Sequence, residues 1–217
     1  MRHGQRYIKL INVGGKVLEK ILINRITQNV YTNNLMSQNQ YGFTPKKNAI
    51  YAVLAVKEYT EEGLRERHIT ILAIFDVKGA FDAAWWPNIL KTLKEFQCPK
   101  NLYNLAKSYF SERTATLSIN SIHVDKDVRK GCPQGSCCGL GFWNLQYNTL
   151  PNLEFGKRTK AINFADDLLI AVRAENVRET ENFANIEVNK ISKWAEDNKI
   201  TFSEQKSKVI VVTRRKR

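Results

Sequence analysis

Three aspartates in two short motifs are the residues of this 217-residue chain best placed to do chemistry. Asp76 ends an apolar run over 69–75, and Asp166 and Asp167 stand side by side between two further apolar runs. A carboxylate at a strand end and a carboxylate pair at a hairpin tip can converge on one point. Three such charges repel one another unless cations lie between them. Oxygen ligands of this kind suit Mg²⁺, and two ions about 4 Å apart would hold both reacting oxygens of a phosphoryl transfer.

Each motif is ambiguous when it is taken alone. A strand-terminal aspartate can be a structural cap, and adjacent acids are common in turns. Taken together, the two motifs favour a metal site, because adjacent carboxylates flanked by apolar residues are costly unless a partner compensates them.

Two other polar segments are candidate ligand-binding sites. Residues 129–136 place Gly131 and Gly135 around Pro-Gln, so that the backbone can approach a ligand closely and Gln134 can bond a base edge or sugar. The alternative is an ordinary Gly-Pro turn. Within 204–208, Lys206 could donate a proton to leaving pyrophosphate, although a solvated charge run reads the same way. The Trp85-Trp86 pair and Trp143 fit a core better than a base-stacking platform.

The elements that must position these residues form a mixed α and β pattern. Apolar periodicity predicts helices and strands without regular βα alternation, which favours an α+β fold, an antiparallel sheet backed by helices on one face. Inward-facing positions are predicted on three helices. The predicted helices cover 15–30 (Val17, Leu18, Ile21, Leu22, Ile26 and Val30 inward), 49–66 (Ala49, Val53, Val56 and Tyr59 inward), segments from Pro87 and from near Pro99, 137–150, and 177–198 (Val177, Ala184, Val188, Ile191, Trp194 and Ala195 inward); the strands cover 69–75, 114–119 paired with 123–128, 161–172 as strand-turn-strand, and 209–212.

The charge balance indicates a polyanionic partner. The chain carries 34 Lys and Arg against 21 Asp and Glu, a net charge of +13, and nucleic acid is the commonest partner for such a surface. A solubility bias or a preference for membrane surfaces is the alternative. No apolar run approaches the roughly 20 residues of a membrane span, and the N-terminus lacks a signal-peptide core. The four cysteines form no C-x-x-C pair and the histidines are scattered, which argues against zinc and for reduced, intracellular thiols.

The order of the motifs points to a family. Residues 75–82, 131–136, 164–167 and 205–208 together closely resemble the reverse transcriptase of non-LTR (LINE-type) retrotransposons, and most closely its arthropod R1-like group. Segments 16–22 and 40–43 extend the similarity to the family's fingers motifs. The similarity therefore covers nearly all of the chain.

This resemblance implies a right-hand polymerase palm over 69–217 with partial fingers over 1–68. Asp76, Asp166 and Asp167 match the catalytic aspartates, which would hold two Mg²⁺ ions that Mn²⁺ can replace. Further matches concern the nucleotide. Phe81 would lie below the incoming sugar and select dNTP over rNTP, Gln134 and Gly135 would contact nucleotide and template, Lys206 would be the general acid, and Arg6 would touch the triphosphate.

The resemblance also implies the partners: an RNA template, a DNA primer and dNTP, with nuclear residence that the basic C-terminal cluster supports. Three segments depart from the family pattern, namely 6–10, 44–49 and Ser203, which replaces the usual Asn. Upstream fingers, a thumb and an endonuclease domain are expected to lie outside this sequence. A catalytically inactive, basic nucleic-acid-binding remnant is therefore the alternative to an active polymerase, and Phe81 argues against a third possibility, an RNA-dependent RNA polymerase.

Overall fold

Seven helices and six strands make up the part of the chain that the structure, a computed structural model, describes: residues 11–120, 122–133 and 135–214. The architecture is α+β, as predicted. In chain order the elements are α1 (Val13–Thr32), α2 (Ala49–Arg65), β1 (Ile69–Asp76), α3 (Ala80–Ala83), α4 (Trp86–Glu95), α5 (Lys100–Phe110), β2 (Thr114–Ile119), β3 (Ile122–Asp127), α6 (Gly139–Tyr147), β4 (Thr159–Phe164), β5 (Asp167–Ala174), α7 (Val177–Asp197) and β6 (Lys208–Val212).

Four strands form an antiparallel sheet in the order β4-β5-β1-β6. The register pairs Ile69 with Ala174 at one end of β1 and Asp76 with Asp167 at the other. Strands β1 and β5 each have a neighbouring strand on both sides. Both are rich in apolar residues, as expected for the middle of a sheet. This register carries the two aspartate motifs to the same end of adjacent strands.

The chain divides into two compact units, each built from two segments of sequence. One comprises Met1–Leu35 with Gly79–Gln146, and the other Met36–Lys78 with Tyr147–Arg217. The second unit contains the four-stranded sheet with α2 and α7 packed on it. Its core includes Ile71, Leu168, Ile170, Val172 and Ile191. The predicted division into fingers over 1–68 and palm over 69–217 stays a prediction.

The first unit has an aromatic core. The rings of Trp86 and Phe110 stack with centroids 5.2 Å apart, and Phe142 lies 4.8 Å from Phe110. Trp143 is fully buried. The prediction that Trp86 and Trp143 are core residues is confirmed. The two-stranded hairpin of β2 and β3 also belongs to this unit.

The helical faces differ from the prediction more than the helix positions do. In α1 the residues Leu22, Ile26 and Val30 are buried as predicted. Val17, Leu18 and Ile21 are exposed, whereas Glu19 and Ile23 are buried. Apolar count alone cannot orient a helix when a carboxyl group with hydrogen-bonding partners takes a core position. Two other helices need smaller corrections: Val53 of α2 and Val177 of α7 are exposed, while Ala52 and Gly63 are the buried residues of α2. The short helix α3 was not predicted.

None of the helices in the described ranges is long and apolar enough to cross a membrane.

Candidate active site

Asp76 and Asp167 lie directly opposite each other on neighbouring strands. Antiparallel partners of this kind place their Cβ atoms about 4.5–5.5 Å apart, and like charges there are destabilising. The Asp76 side chain is 25% exposed, and Lys206 Nζ lies 3.3 Å from its Oδ2 atom. That oxygen is buried and accepts no hydrogen bond from the part of the chain that is described. Asp76 therefore carries a buried oxygen that is ion-paired with Lys206 but accepts no hydrogen bond from the described residues.

Asp166 lies at the tip of the hairpin that joins β4 to β5. The turn has two central residues, Ala165 and Asp166, between the paired residues Phe164 and Asp167. Of the two, Ala165 has a positive φ of 59°, the φ pattern of a type II′ turn. The Tyr147 hydroxyl, at the end of α6, donates a hydrogen bond of 3.1 Å to the carbonyl oxygen of Asp166. The predicted hairpin is thus present, with Asp166 in its turn and Asp167 as the first residue of β5.

The electrostatics of this edge bring the three aspartates together. Burial raises the pKa of Asp167, the charges of Asp166 and Asp76 raise it further, and Lys206 opposes them. Burial also raises the pKa of Tyr147, and the negative charges of the same three aspartates add to that rise. The Tyr147 phenol senses the charge of all three carboxylates, and the strand register and the hairpin turn place the three aspartates at one edge of the sheet. Their metal-binding role stays a prediction.

The donor chemistry of this cluster fits a hard divalent cation. Among the described residues, no three His, Cys, Asp or Glu side chains stand in a ready-made metal-binding arrangement. Asp76, Asp166 and Asp167 nevertheless supply carboxylate oxygens only, the ligands that Mg²⁺ takes, and the buried Oδ2 of Asp76 has no hydrogen bond to lose. In the folded chain, the ammonium group of Lys206 supplies the positive charge beside Asp76. These three aspartates are the residues that would hold the metal.

Removing one charge from the cluster should stabilise the metal-free protein. We expect Asp167→Asn to raise the free energy of unfolding by about 0.5–1 kcal/mol, because like charges on directly opposed residues cost about that much. This corresponds to a rise of roughly 1–4 °C in Tm for a chain of this size. Thermal unfolding in EDTA at neutral pH measures it.

The sign of the pH dependence provides a check on this prediction. Because the folded-state pKa of Asp167 lies above its ordinary value of 3.8, the wild-type protein gains stability as pH falls through that raised pKa. The gain is complete below the unfolded-state value. The advantage of Asp167→Asn should therefore shrink as pH is lowered. An advantage that is constant with pH, or a variant less stable than wild type at neutral pH, contradicts charge repulsion as the cause.

A segment from the family-like motif 40–43 holds the hairpin in place. Tyr41 donates a backbone hydrogen bond of 2.8 Å to the Asn163 carbonyl, and the Asn163 amide donates one of 2.8 Å to the carbonyl of Asn39. Gly42 lies against the turn itself. A Cβ atom on Gly42 would be 1.9 Å from the backbone nitrogen of Ala165. The absence of a side chain at Gly42 is what lets the two backbones approach.

We expect Gly42→Ala to disable the site without touching a carboxylate. The new methyl group cannot coexist with the Ala165 backbone, so the turn must move, at a cost of about 1–3 kcal/mol. A displacement of about 1 Å of the hairpin bearing Asp166 can reduce a rate about 100-fold. Urea unfolding and primer extension measure the two effects. Gly14→Ala in α1, where a Cβ atom would be 3.7 Å from the nearest atom, is the matched control. Equal behaviour of the two variants would contradict this assignment.

Lys206 reaches Asp76 because the segment before β6 runs along the end of β1. Lys78 donates to the carbonyl of Thr201 and Ser203 donates to the carbonyl of Asp76, each at 2.8 Å. The Lys206 amide then bonds back to the Ser203 carbonyl at 3.2 Å. The Lys206 side chain is 66% exposed. Its largely exposed ammonium group is thus held 3.3 Å from the Asp76 carboxylate.

In the first unit, Phe81 and the loop at 131–136 are joined through their backbones. Cys132 donates a hydrogen bond of 2.7 Å to the Phe81 carbonyl, and Gly131 donates one of 2.6 Å to the carbonyl of Ala84. The Phe81 ring is half-buried, with its centroid 6.3 Å from that of Trp143. The predicted sugar-selecting residue and the predicted nucleotide-contacting loop are therefore parts of one local assembly.

Two predicted site residues and one predicted cluster fall outside the described ranges. They are Arg6, Gln134 and most of the basic C-terminal cluster. Gly135 is described, and its φ of 99° is a conformation that glycine adopts without strain. Sequence reasoning missed two residues that support the carboxylates. Tyr147 gave no signal, because it sits in an apolar helix, and Gly42 was part of a recognised motif but had no assigned role.

Comparison with known proteins confirms the family. Residues 2–216 match the family described as Reverse transcriptase (RNA-dependent DNA polymerase). The chain belongs to this reverse transcriptase family. Members of the family generally use divalent metals and bind a nucleic-acid template, in keeping with the carboxylate cluster and the basic charge.

The sequence relatives place the chain among non-LTR, R1-like reverse transcriptases, as its motifs predicted. It is 34% identical over 171 residues to the Retrovirus-related Pol polyprotein from type-1 retrotransposable element R1 of Bradysia coprophila, covering 79% of this chain and 16% of that protein. It is 23% identical over 198 residues to the RNA-directed DNA polymerase from mobile element jockey of Drosophila melanogaster, covering 88% and 22%. The chain thus spans about a fifth or less of the length of these relatives.

Solved structures show the same fold. Apo telomerase from Candida tropicalis, truncated from its C-terminal domain, superposes with a TM-score of 0.66 at 12% identity, covering 90% of this chain and 40% of that one. Telomerase from Candida albicans, in complex with a fragment of telomeric RNA, gives 0.66 at 13% identity, covering 89% and 35%. At this identity the likeness shows the polymerase palm-like fold of the reverse transcriptase and nothing finer.

Proposed function

We propose that this reverse transcriptase domain is an RNA-directed DNA polymerase that adds dNTP to the 3′-hydroxyl of a DNA primer on an RNA template. The observation that carries the proposal is the convergence of Asp76, Asp166 and Asp167 at one edge of the sheet. Clustered carboxylates repel one another and so destabilise the folded chain. In a phosphoryl-transfer site the same carboxylates can hold the metal ions that the reaction needs. Family membership supports the same reaction.

The three aspartates would hold two Mg²⁺ ions, with Mn²⁺ able to replace them. When bound, the metal lowers the pKa of the attacking hydroxyl and offsets the charge that develops on phosphate. The chain's own residues do the positioning. The pairing of β1 with β5 fixes Asp76 and Asp167, while the two-residue turn and the Tyr147 hydrogen bond fix Asp166.

Lys206 is proposed as the general acid of this reaction. Its ammonium group lies 3.3 Å from Asp76 and is largely exposed, so it can turn to a phosphate oxygen that leaves as pyrophosphate. Phe81 is proposed to exclude the 2′-hydroxyl of rNTP, and Gln134 and Gly135 to contact the nucleotide and template. Arg6 is proposed to touch the triphosphate. The template and primer would be held through their phosphates, which suits a chain with a net charge of +13.

One observation favours the alternative of an inactive nucleic-acid-binding remnant. The segment 44–49 departs from the family pattern, and Lys47 within it is turned inward. Its ammonium group donates to the carbonyl of Gln38 and lies 5.0 Å from the centre of the Tyr41 ring. Burial also lowers the pKa of Lys47. A lysine engaged in this way offers less to a phosphate than the two-pronged guanidinium group of an arginine would.

Primer extension by the 217-residue chain separates the two functions. The assay uses an RNA template with a DNA primer in Mg²⁺ or Mn²⁺, and binding of the same duplex is measured at several salt concentrations. Extension that requires the RNA template establishes the polymerase. Salt-sensitive binding with no extension in either metal establishes the remnant, because phosphate contacts alone give the salt dependence.

A further inference from the structure

Glu19 is a buried acid of the first unit and is not one of the three clustered aspartates. It sits in α1 and is 4% exposed. Its Oε1 atom accepts a hydrogen bond of 2.8 Å from the Tyr109 hydroxyl, and its Oε2 atom accepts one of 2.8 Å from the backbone amide of Cys137. A buried carboxyl group is costly unless both oxygens are bonded in this way. These two hydrogen bonds therefore tie α1 and α5 to residues 136–138.

A second layer of bonds closes this connection. The Tyr109 hydroxyl also lies 3.2 Å from Ser136 Oγ, which accepts a hydrogen bond of 3.1 Å from the amide of Cys138. The Cys138 thiol donates to the backbone carbonyl of Glu19 at 3.1 Å. Burial is the main cause that raises the pKa of Tyr109, so its hydroxyl keeps the proton that it donates. Three consecutive residues after Gly135 are thus fixed to α1 and α5.

The other end of the same loop is fixed independently. Cys132 and Gly131 bond to the backbone of α3 and of Ala84, and the Trp86 indole donates a hydrogen bond of 2.9 Å to the Gly131 carbonyl. Gly135, in its left-handed conformation, lies between the two anchored ends. Both described ends of the loop are therefore anchored. Residues 131 and 132 are held by backbone atoms and the Trp86 indole, and residues 136–138 by the Glu19 carboxyl group, the Tyr109 hydroxyl and the Glu19 backbone carbonyl.

We propose that Glu19 is a positioning residue for nucleotide binding: it fixes the C-terminal end of the 131–138 loop and so sets where Gly135 meets the incoming dNTP. This inference rests on the proposed function of that loop. Glu19 touches neither substrate nor metal in the proposal. It acts through the Cys137 amide and through Tyr109.

The chemistry of Glu19 predicts which substitution preserves its role. In Glu19→Gln, the amide oxygen can accept from Cys137 while the amide nitrogen donates to the Tyr109 oxygen, whose own proton then turns to Ser136. In Glu19→Ala both donors lose their acceptor. Glu19→Gln should therefore retain the function that Glu19→Ala loses. Ile26→Val, a fully buried change on the same helix away from the loop, controls for loss of stability alone.

The test has two readouts, neither of which needs turnover. Amide hydrogen exchange over 131–138 should be at least 10-fold faster in Glu19→Ala and near wild type in Glu19→Gln and Ile26→Val. The Kd of labelled dNTP is then measured on an RNA template with a dideoxy-terminated DNA primer, which has no 3′-hydroxyl to react. It should rise about 10-fold in Glu19→Ala alone, while the Kd of the primer–template duplex changes less than 2-fold.

Each contrary result has a defined meaning. Unchanged loop exchange or unchanged dNTP affinity in Glu19→Ala overturns the inference, as does a loss in Ile26→Val equal to that in Glu19→Ala. A wild-type chain that binds no dNTP overturns it as well. If the wild-type chain binds dNTP but extends no primer, the proposed polymerase activity is wrong. The two readouts then still decide the role of Glu19.

Discussion

Asp76→Asn should reduce primer extension to below about 1% of the wild-type rate. The substitution keeps the size of the side chain and its place at the end of β1, but it removes the charge of the carboxylate in this cluster whose buried oxygen, among the described residues, accepts no hydrogen bond. Loss of a few kcal/mol of charge stabilisation in the transition state corresponds to about 100-fold or more in rate. Single-turnover extension at saturating dNTP isolates the chemical step.

Asp197→Asn is the matched control for this change. Asp197 is an exposed aspartate at the end of α7, in the same unit and outside the carboxylate cluster. It should extend primer at the wild-type rate, and both variants should bind the primer–template duplex within 2-fold of wild type. An Asp76→Asn variant that retains more than a few per cent of the wild-type rate would reject the metal-ligand assignment. A variant that loses duplex binding as well would point to a structural role.

The same aspartates show why a large part of the site could be predicted from sequence. Their flanks are short, mainly apolar runs rich in β-branched residues, a pattern that favours a buried strand ending at a charge. The same pattern predicted a hairpin, because two runs separated by two residues, Asp166 and Asp167, favour one. The turn itself lies one residue earlier, at Ala165 and Asp166, and Asp167 is the first residue of β5. The pattern of neighbouring residues was enough to predict that these carboxylates lie at strand ends. It did not give the distances between the carboxylates.

The supporting residues could not be predicted, because their roles depend on contacts remote in sequence. Glu19 bonds to Cys137, 118 positions away, and its burial turns α1 away from the face that apolar periodicity favoured. Gly42 matters because the backbone of Ala165 lies against it. Neither residue has a neighbour in sequence that reveals these partners. The spacing of apolar residues predicts only which face of a helix is buried on average. A single buried polar side chain with hydrogen-bonding partners can change which face that is.

Phe81→Val should weaken the discrimination between dNTP and rNTP by about 10- to 100-fold. The proposed gate is steric, and pockets that distinguish ligands by one small group achieve ratios of roughly this size. The structure suggests that the change can be made cleanly. The Phe81 carbonyl that accepts from Cys132 is a backbone atom, so the attachment of the loop survives the loss of the ring. The measured quantity is the ratio of kcat/KM for dNTP to kcat/KM for the matching rNTP.

The direction in which each of the two kcat/KM values changes decides whether the Phe81 ring excludes rNTP by its size. A gate gives a rise in kcat/KM for rNTP with little change for dNTP, because the space opened below the sugar admits the 2′-hydroxyl without harming the smaller substrate. Loss of packing against Trp143 lowers both terms together. Phe96→Val, the same side-chain change at a half-buried position in the same unit, should leave the ratio at its wild-type value. An equal fall for both nucleotides in Phe81→Val would make the ring a packing residue, and the choice of DNA over RNA synthesis would then have to rest on some other group.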